Sequence, residues 1–473
     1  MRRRTFLAAS GTAPLAAMVP SASASASVNA AAAPPIAPKL TARDPQASRN
    51  AQAVYAHLVA SENAARAGNT PMTIIGQHIE AQNELYNPRY GDTGGATHVG
   101  YYYNKARAIT GRLPGFVEID LGPGYGSGNG WGIATPRSYN QDLGLPSGQR
   151  QWRYVDDAID LAFGIWKGLP RAEDGTYNHS GTMVGADGRL SAVANGGAAA
   201  GMVGVSFHQP YPGSSLKDFS QVLTQVTDQR PGGIEYYPPA TINTDQAWFD
   251  RVVDWAADTP QYRALLADLE ILAANLSYFA AYDIPVLLRP YHEMNGPWFW
   301  WGGKTPTSYK KLWSITYDYL VKTKGLHNLI FVWSPNAWTP NGTNVPWDYY
   351  PGAGRVDIVA VDDYNAKYGS GVGTPENQNF TNIYYTGLVD YAKPRMLAET
   401  GYVPITAPAG AAPATNALTA SPWVIWSVWG DRLTASNSNA DVKATYYATS
   451  QVWTGGSGTG YGQNFNWGSI HAH

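Results

Sequence analysis

The stretch IPVLLRPYHE, Ile284 to Glu293, carries the pattern on which the predicted fold depends. A short apolar run ends abruptly in polar and aromatic residues. Short continuous apolar runs are typical of strands buried on both faces, as in parallel sheets. The same pattern occurs eight times, in stretches that begin at Met72, Gly115, Gly201, Ile284, Leu329, Val356, Arg395 and Val424.

Helical patterns lie between several of these runs. The segments Tyr262 to Tyr282 and Ser308 to Gly325 have apolar residues at three-and-four spacing, and Gly325 suits a helix C-cap. Eight strands that alternate with helices predict an α/β fold, a (β/α)8 TIM barrel. We expect a single catalytic domain with elaborated loops over residues 51–473, with its catalytic groups at the carboxyl ends of the strands.

The composition favours a neutral, hydroxyl-rich ligand. The chain has 473 residues, a formal net charge of -2, a charged fraction of 14%, 17 Trp and 31 Tyr. Such a charge balance gives no electrostatic reason to expect a nucleic-acid partner. The alternative for the aromatic residues is that they fill a large core. Because there is no cysteine, disulfides and thiolate metal sites are excluded.

The N-terminus is typical of an export signal. Residues 1–33 begin with arginines, continue in a short apolar run and end in small residues, and Arg3 to Leu7 resembles the twin-arginine signal of bacteria. An ordinary secretory signal is the alternative. Residues 34–50 are rich in Ala and Pro, which predicts a flexible leader. We expect a secreted protein, and we find no later apolar run long enough to span a bilayer.

Two glutamates stand at predicted strand ends. Glu293 follows the fourth apolar run and Glu399 ends the seventh. Two carboxylates that face each other across a barrel mouth are what glycoside hydrolysis needs, one protonated to donate to the leaving oxygen and one ionised to attack the sugar. The alternative is that both are structural ion-pair partners, for which Arg289 and Arg395 are available.

Other chemistries lack their motifs. His78, His208 and His292 stand at strand ends, but the spacing around them is not the HExxH zinc pattern, so we predict no metal. The glycine-rich run from Gly122 to Gly130 lacks the lysine of a phosphate loop. No Gly-x-Ser-x-Gly elbow is present. We therefore predict no cofactor.

The stretch IPVLLRPYHEMNGPWFWWG resembles the fourth-strand signature of glycoside hydrolase family 26, which contains β-mannanases and related endo-glycanases. The runs GLHNLIFVWSPN, YYPGAGRVDIVAVDDYN and KPRMLAETG resemble the next three strands in order, and AAAGMVGVSFHQPYPG resembles the third. The resemblance covers roughly Met72 to Asp431.

The resemblance implies a role for each matching residue. Glu293 would be the acid/base, Glu399 the nucleophile, and Tyr364 would orient the nucleophile. The eighth-strand platform for the sugar would be Trp429 or Trp426. The full set of implied sugar-site residues is His208, His292, Asn295, Trp298, Tyr364, Trp429, Trp426 and Arg289. Among the nearby tryptophans, we expect Trp298 to contact sugar and Trp300 and Trp301 to pack in the interior.

We therefore expect a secreted, monomeric, retaining endo-β-1,4-mannanase that acts on mannan-type polysaccharides. The third run has HQPYP where the family more often has Asn before Pro, and the insert Arg171 to Gly197 has no assigned place. These departures leave open the same mechanism on mixed-linkage β-1,3-1,4-glucan or β-1,3-xylan. A non-catalytic carbohydrate-binding barrel is the alternative from another class.

Overall fold

A computed structural model of the chain describes residue 35 and ten segments of it. The segments are residues 44–69, 72–79, 100–122, 153–167, 201–213, 245–337, 345–364, 384–406, 415–448 and 452–455. The predicted signal, most of the predicted leader and the insert at 171–197 lie outside the described residues.

Eight parallel strands form the centre of the molecule. They are β1 (Thr73–His78), β2 (Phe116–Asp120), β3 (Met202–Phe207), β4 (Val286–Pro290), β5 (Leu329–Trp333), β6 (Ile358–Asp363), β7 (Arg395–Thr400) and β8 (Ile425–Val428). Each strand pairs with the next in chain order, and β8 pairs with β1, so the sheet closes. The predicted (β/α)8 barrel and all eight predicted strands are confirmed.

The strand register shifts where the barrel carries its acidic groups. Between β6 and β7 the pairing slips at Val361/Asp362, and this irregularity sets Asp362 opposite Glu399. A second slip lies between β7 and β8, at Trp426/Val428. Bulges of this kind re-aim side chains beside active sites. The slip therefore brings two carboxylates from neighbouring strands to one level of the barrel.

Helices surround the barrel wherever the chain is described. They are α1 (Arg49–Arg66), α2 (Tyr101–Thr110), α3 (Arg153–Lys167), α4 (Gln246–Val252), α5 (Pro260–Ala281), α6 (Pro306–Tyr317), α7 (Arg432–Ala435) and α8 (Asn439–Tyr446). Helix α6 continues in a π-helical turn, Asp318–Thr323. Short 3-10 turns cover Pro346–Tyr349, Val389–Tyr391 and Ala417–Thr419. Val452–Gly455 pairs with both β1 and Leu113–Pro114, and Ile405–Thr406 pairs with Thr415–Asn416.

The two helices predicted from periodicity begin and end at recognisable signals. Thr259 and Thr305 cap α5 and α6 by accepting from backbone N–H groups three residues later, and a proline follows each cap. Gly325 has a positive φ of 66°, which suits the residue just past the π-helical turn. Both predicted helices are confirmed within two residues at their ends.

Helix α1 covers the amino end of the barrel. Asn50 donates to the carbonyl of Asp283, just before β4, and Ser61 donates to the carbonyl of Met72, just before β1. Glu62 pairs with Arg395, the first residue of β7. The amino end is therefore closed by packing, which leaves the carboxyl end as the face for chemistry.

One of the described helices, α5, is long and apolar enough to cross a membrane by length and composition alone. This corrects the expectation that no run after the signal has that length. Half of its most apolar window is buried inside the fold, and Leu265, Leu269, Leu272 and Leu276 lie in the core. An amphipathic core helix of a barrel passes the same test, and α5 packs as one.

Candidate active site

The turn after β4 holds its backbone in an unusual conformation. Tyr291 and Glu293 have positive φ angles of 50° and 54°. Residues other than glycine adopt this region at a cost of order 1 kcal/mol or more each, and they concentrate at functional sites. Hydrogen bonds hold the turn: the N–H of Glu293 donates to the carbonyl of Ser334 at 2.8 Å, and Gly296 N–H donates to the carbonyl of Glu293 at 2.9 Å. The fold therefore fixes Glu293 at the end of β4.

The carboxyl group of Glu293 lies between two N–H donors. The indole of Trp298 donates to Oε2 at 2.5 Å, and the amide of Asn336 donates to Oε1 at 2.8 Å. Burial, together with the negative charge of Glu399, raises the pKa of Glu293 to about 7, against the effect of both donors. Glu293 can therefore both release and take up a proton near neutral pH.

Asn336 is a site residue that the sequence analysis missed. It follows β5 in the run WSPN, and it is fixed by a mutual pair of hydrogen bonds with Asn295, each 2.8 Å long. Asn295 therefore acts on Glu293 through Asn336, by holding the amide that donates to the carboxyl group. The sequence did contain a signal for Asn336. The apolar run LIFVW ends in the polar residues SPN, just as the apolar run before Glu293 ends in polar residues.

A glycine makes room for Trp298. A Cβ added at Gly296 would lie 2.2 Å from the indole ring of Trp298, and one at Gly302 would lie 2.2 Å from the carbonyl oxygen of Gly296. No side chain fits at such distances. The two glycines therefore allow the loop to fold tightly enough for the indole to reach Glu293.

Glu399, at the end of β7, has different neighbours. Arg289 donates to its Oε1 at 2.5 Å, and Tyr364 donates to its Oε2 at 3.0 Å. The ring of His292 lies 3.7 Å from Oε1, and burial with the charge of Arg289 holds the pKa of that histidine well below its usual value. Glu399 is thus surrounded by a fixed cation, a hydroxyl donor and a neutral imidazole.

Arg289 binds three carboxylates at once. Its guanidinium contacts Glu118 at 2.7 Å, Asp362 at 3.0 Å and Glu399 at 2.5 Å, and we call these four residues the carboxyl-end cluster. All four are buried. Burial raises the pKa of Glu118 to about 7 and that of Asp362 well above its ordinary value, although Arg289 opposes both shifts. One guanidinium therefore does not balance the acidic groups around it.

His292, Asp362 and Glu399 have potential ligand atoms within 4.8 Å of one another. The guanidinium of Arg289 already contacts both of these carboxylates. A metal ion bound there would stand beside a fixed positive charge. These three residues therefore suit the guanidinium of Arg289 better than a metal ion.

Predicted sugar-site residues from the third, fourth and eighth strands lie together, beside His78 of the first strand. His208 pairs with the buried Asp120 at the end of β2, and its ring lies edge-on to His292 at 4.6 Å. Trp429, just after β8, stacks on His78 at 4.0 Å and faces the edge of His208 at 6.3 Å. The sequence analysis missed Asp120, although its run, GFVEID, ends in that residue.

The remaining tryptophans pack in the interior. The indoles of Trp300 and Trp301 donate to the carbonyls of Gln209 and His292, and both rings are fully buried, as we predicted. Trp426 is also buried, at 1% exposure, and donates to the carbonyl of Tyr402. Trp426 was one of the two residues expected to form the sugar platform, and that expectation is wrong because its ring has no solvent-exposed face. Trp429, the other residue, is partly exposed. Arg289 is likewise buried beneath Glu399, so it supports that residue and does not face sugar.

Comparison with known proteins finds relatives named as mannan endo-1,4-beta-mannosidases. It is 34% identical over 233 residues to a mannan endo-1,4-beta-mannosidase of Thermothelomyces thermophilus, a match that covers 48% of this chain and 42% of that protein. It is 38% identical over 131 residues to a mannan endo-1,4-beta-mannosidase of Bacillus subtilis, covering 26% of this chain and 34% of that protein. The chain thus matches less than half the length of these two relatives.

A solved structure shares the fold. The β-mannanase from a symbiotic protist of the termite Reticulitermes speratus, complexed with gluco-manno-oligosaccharide, superposes with a TM-score of 0.56 at 21% identity, covering 89% of this chain and 97% of that one. Residues 174–448, more than half of the chain, match glycosyl hydrolase family 26. The chain therefore belongs to glycosyl hydrolase family 26.

Proposed function

We propose that this chain is a retaining endo-β-1,4-mannanase in which Glu293 is the acid/base and Glu399 the nucleophile. The observation that carries the proposal is the contrast between the two carboxylates. Glu293 has a pKa of about 7 and two neutral donors, whereas Glu399 contacts the fixed charge of Arg289 and the hydroxyl of Tyr364. Environments that differ in this way assign acid and nucleophile roles to a pair of carboxyl groups.

The first half of the reaction uses both groups. Glu293 gives its proton to the glycosidic oxygen, and Glu399 attacks the anomeric carbon to form a covalent glycosyl-enzyme. Arg289 and Tyr364 orient Glu399 by donating to its two carboxylate oxygens, and the hydroxyl of Tyr364 limits its rotation. The leaving sugar departs with the proton of Glu293.

The second half reverses the role of Glu293. Now ionised, it accepts a proton from water, and the water attacks the anomeric carbon so that Glu399 leaves. The indole of Trp298 and the amide of Asn336 stabilise the ionised form of Glu293 in this interval. A pKa of about 7 suits both halves, because the group must change its protonation state twice in each cycle.

The mannan substrate is supported by the names of the relatives, which are mannan endo-1,4-beta-mannosidases. The low charge and the aromatic residues beside the carboxylates suit a neutral polysaccharide. The test is a product profile over mannan, glucomannan, mixed-linkage β-glucan and β-1,3-xylan. Release of oligosaccharides from mannan with the β-anomer formed first supports the proposal. If the enzyme cleaved only the glucan or the xylan, the proposed mechanism would stand and the proposed substrate would be wrong.

The variants Glu293→Ala and Glu399→Ala test the roles. Each should abolish turnover of mannan and leave the fold intact by circular dichroism. Small anions such as azide should restore activity on an activated aryl glycoside, with the retained product for Glu293→Ala and the inverted product for Glu399→Ala. Near-wild-type turnover by either variant would refute the assignment, and binding of mannan without turnover by the wild type would indicate a carbohydrate-binding barrel.

We also propose that the protein is exported by the twin-arginine route and acts as a soluble monomer. The support is the run of arginines, apolar residues and small residues in positions 1–33. Replacement of Arg3 and Arg4 by lysine should keep the protein inside cells that export the wild type. Unchanged export would instead favour an ordinary secretory signal.

A further inference from the structure

Asp120 accepts more hydrogen bonds than any role described so far requires. Its Oδ1 accepts from the backbone N–H of Gly122 at 2.5 Å and of His208 at 3.3 Å. Its Oδ2 accepts from the hydroxyl of Ser206 at 2.9 Å and from the ring of His208. A buried carboxylate with four donors is stabilised in its ionised form. Asp120 is therefore a fixed negative charge at the end of β2.

The ionised carboxylate sets the direction of a chain of hydrogen bonds. A carboxylate only accepts, so Ser206 gives its single proton to Asp120. The oxygen of Ser206 must then accept from Nε2 of His78, 3.1 Å away. Burial keeps His78 neutral, with its pKa well below the usual value, so this contact fixes the ring as the Nε2–H tautomer. The same ring stacks on Trp429 at 4.0 Å and an interplanar angle of 24°.

We propose that Asp120 is a positioning residue for the sugar: it holds His208 as an imidazolium and, through Ser206, fixes the ring of His78 against Trp429. One buried carboxylate from β2 thereby orders groups from three other strand ends. This inference rests on the proposed function, since it gives the bound sugar two walls, a cationic donor and an indole platform. His208 supplies the donor and Trp429 the platform.

The charge of His208 depends on groups from several strands. Burial lowers its pKa, but the charge of Asp120 and the hydrogen bond to it outweigh burial, so the pKa of His208 lies above its ordinary value. Glu399 of β7 raises the same pKa, whereas Arg289 of β4 lowers it. The rings of His78 and His292 complete the surroundings as neutral groups. His208 therefore carries a positive charge below its raised pKa and loses that charge as pH rises through it.

An imidazolium in this place has two consequences for catalysis. Its positive charge attracts the carboxylate of Glu399, the proposed nucleophile. A charged N–H donor also binds a sugar hydroxyl more strongly than a neutral one does. The substitution Asp120→Asn keeps the shape of the side chain and removes the charge. Burial then dominates, and His208 becomes neutral at pH 7.

The first test observes His208 without any sugar. In protein labelled with ¹³C at histidine Cε1, the His208 signal, identified by its absence in His208→Gln, should titrate with a midpoint above 6.5 in the wild type. In Asp120→Asn the midpoint should fall below 6.5. A midpoint that is the same in both proteins overturns the inference, whichever polysaccharide the enzyme cuts. Failure of the proposed function would leave this result unaffected.

The second test is a double-mutant cycle on catalysis. Asp120→Asn should raise KM about 10- to 100-fold, the range expected when a hydrogen bond to a charged group is lost. In a His208→Gln background the same substitution should raise KM by a clearly smaller factor, because only the link through Ser206 to His78 remains. Full additivity of the two effects would contradict a positioning role. Asp357→Asn is the matched control. Asp357 lies at the amino end of the barrel, directly before β6, and its buried carboxylate accepts a hydrogen bond from the N–H of Phe331.

A third variant keeps the inference testable if Asp120→Asn does not fold. Ser206→Ala cuts the link to His78 and leaves the pair of Asp120 and His208 in place. It should leave the titration of His208 unchanged and weaken the quenching of Trp429 fluorescence by mannopentaose in the Glu399→Ala background. Quenching equal to that of Glu399→Ala alone would refute the link through Ser206.

Discussion

The barrel contains a buried group of charges at each end, and the two groups are built differently. At the amino end, Glu62 accepts from Arg66 at 3.0 Å and from Arg395 at 2.8 Å, and we call these three residues the amino-end cluster. The remaining donors of the two arginines reach Tyr385 and the carbonyl of Val389. These five arginine nitrogens all have acceptors, and the two cations outnumber the one carboxylate.

The carboxyl-end cluster reverses that ratio. One guanidinium, that of Arg289, serves three carboxylates, and a fourth, Glu293, lies close enough to be affected by the charge of Glu399. Burial raises the pKa of Glu118 and of Glu293 to about 7. A cluster in which arginines outnumber the carboxylate anchors a helix to a strand, whereas a cluster in which carboxyl groups outnumber the arginine can hold protons that move during a reaction. The difference assigns structure to one end and chemistry to the other.

The largest expected effect comes from removing the arginine of each cluster. Arg289→Met and Arg395→Met each leave a buried carboxylate with less compensation, and each should lower the free energy of unfolding by about 3–5 kcal/mol. Only Arg289→Met should also abolish turnover per folded molecule, because Glu399 loses the guanidinium that binds and orients its carboxylate. Urea unfolding measures the first quantity, and the rate of mannan hydrolysis divided by the concentration of folded protein measures the second.

Two results with these variants would contradict the assignment of structure to the amino end and chemistry to the carboxyl end. If Arg395→Met lost activity per folded molecule as completely as Arg289→Met, the two ends would not differ in function. If Arg289→Met kept wild-type turnover, Glu399 would not depend on this guanidinium, and the assigned nucleophile would need another source of stabilisation.

The sequence analysis predicted the barrel because its signal is local. Each of the eight strands is a short apolar run bounded by polar residues, and Glu293 and Glu399 stand where such runs end. Two arginines, Arg289 and Arg395, were equally plausible ion-pair partners for the glutamates. The structure separates them, since Arg395 begins β7 at the amino end and Arg289 lies near the carboxyl end of β4.

Residues joined only by closure of the barrel could not be predicted. Glu118 and Arg289 are 171 positions apart, and their contact depends on the lateral order and register of β2 to β4. The slip that sets Asp362 opposite Glu399 has no sequence signal that we recognised. Trp426 and Trp429 look alike in sequence, and only the end of β8 at Val428 separates the buried ring from the partly exposed one.

A smaller effect is expected in the pH dependence of stability. The pKa of Glu118 is about 7 in the folded protein against 4.5 as its model-compound value, so the folded state binds more protons between these values. Stability should therefore fall as pH rises from about 4.5 to 7, by about 3 kcal/mol from this group. Glu118→Gln should remove that part of the slope, measured by urea unfolding at several pH values. An unchanged slope would show that Glu118 ionises normally.

The smallest expected effect concerns a single N–H group beside Glu293. Trp298→Phe keeps an aromatic ring and removes the indole donor that lowers the pKa of Glu293. The pKa should rise above about 7, and because the acid works in its protonated form, the alkaline limb of kcat/KM should move to higher pH. Loss of the donor should also reduce kcat about tenfold, since the ionised form of Glu293 is less stabilised during the second half-reaction.

Trp426→Phe is the control, because it removes an indole donor that contacts only the carbonyl of Tyr402. The alkaline limb of its kcat/KM profile should stay in place. A limb that shifts equally in both variants would mean that the indole of Trp298 does not set the pKa of the acid, and the contrast between Glu293 and Glu399 would then rest on burial and charge alone.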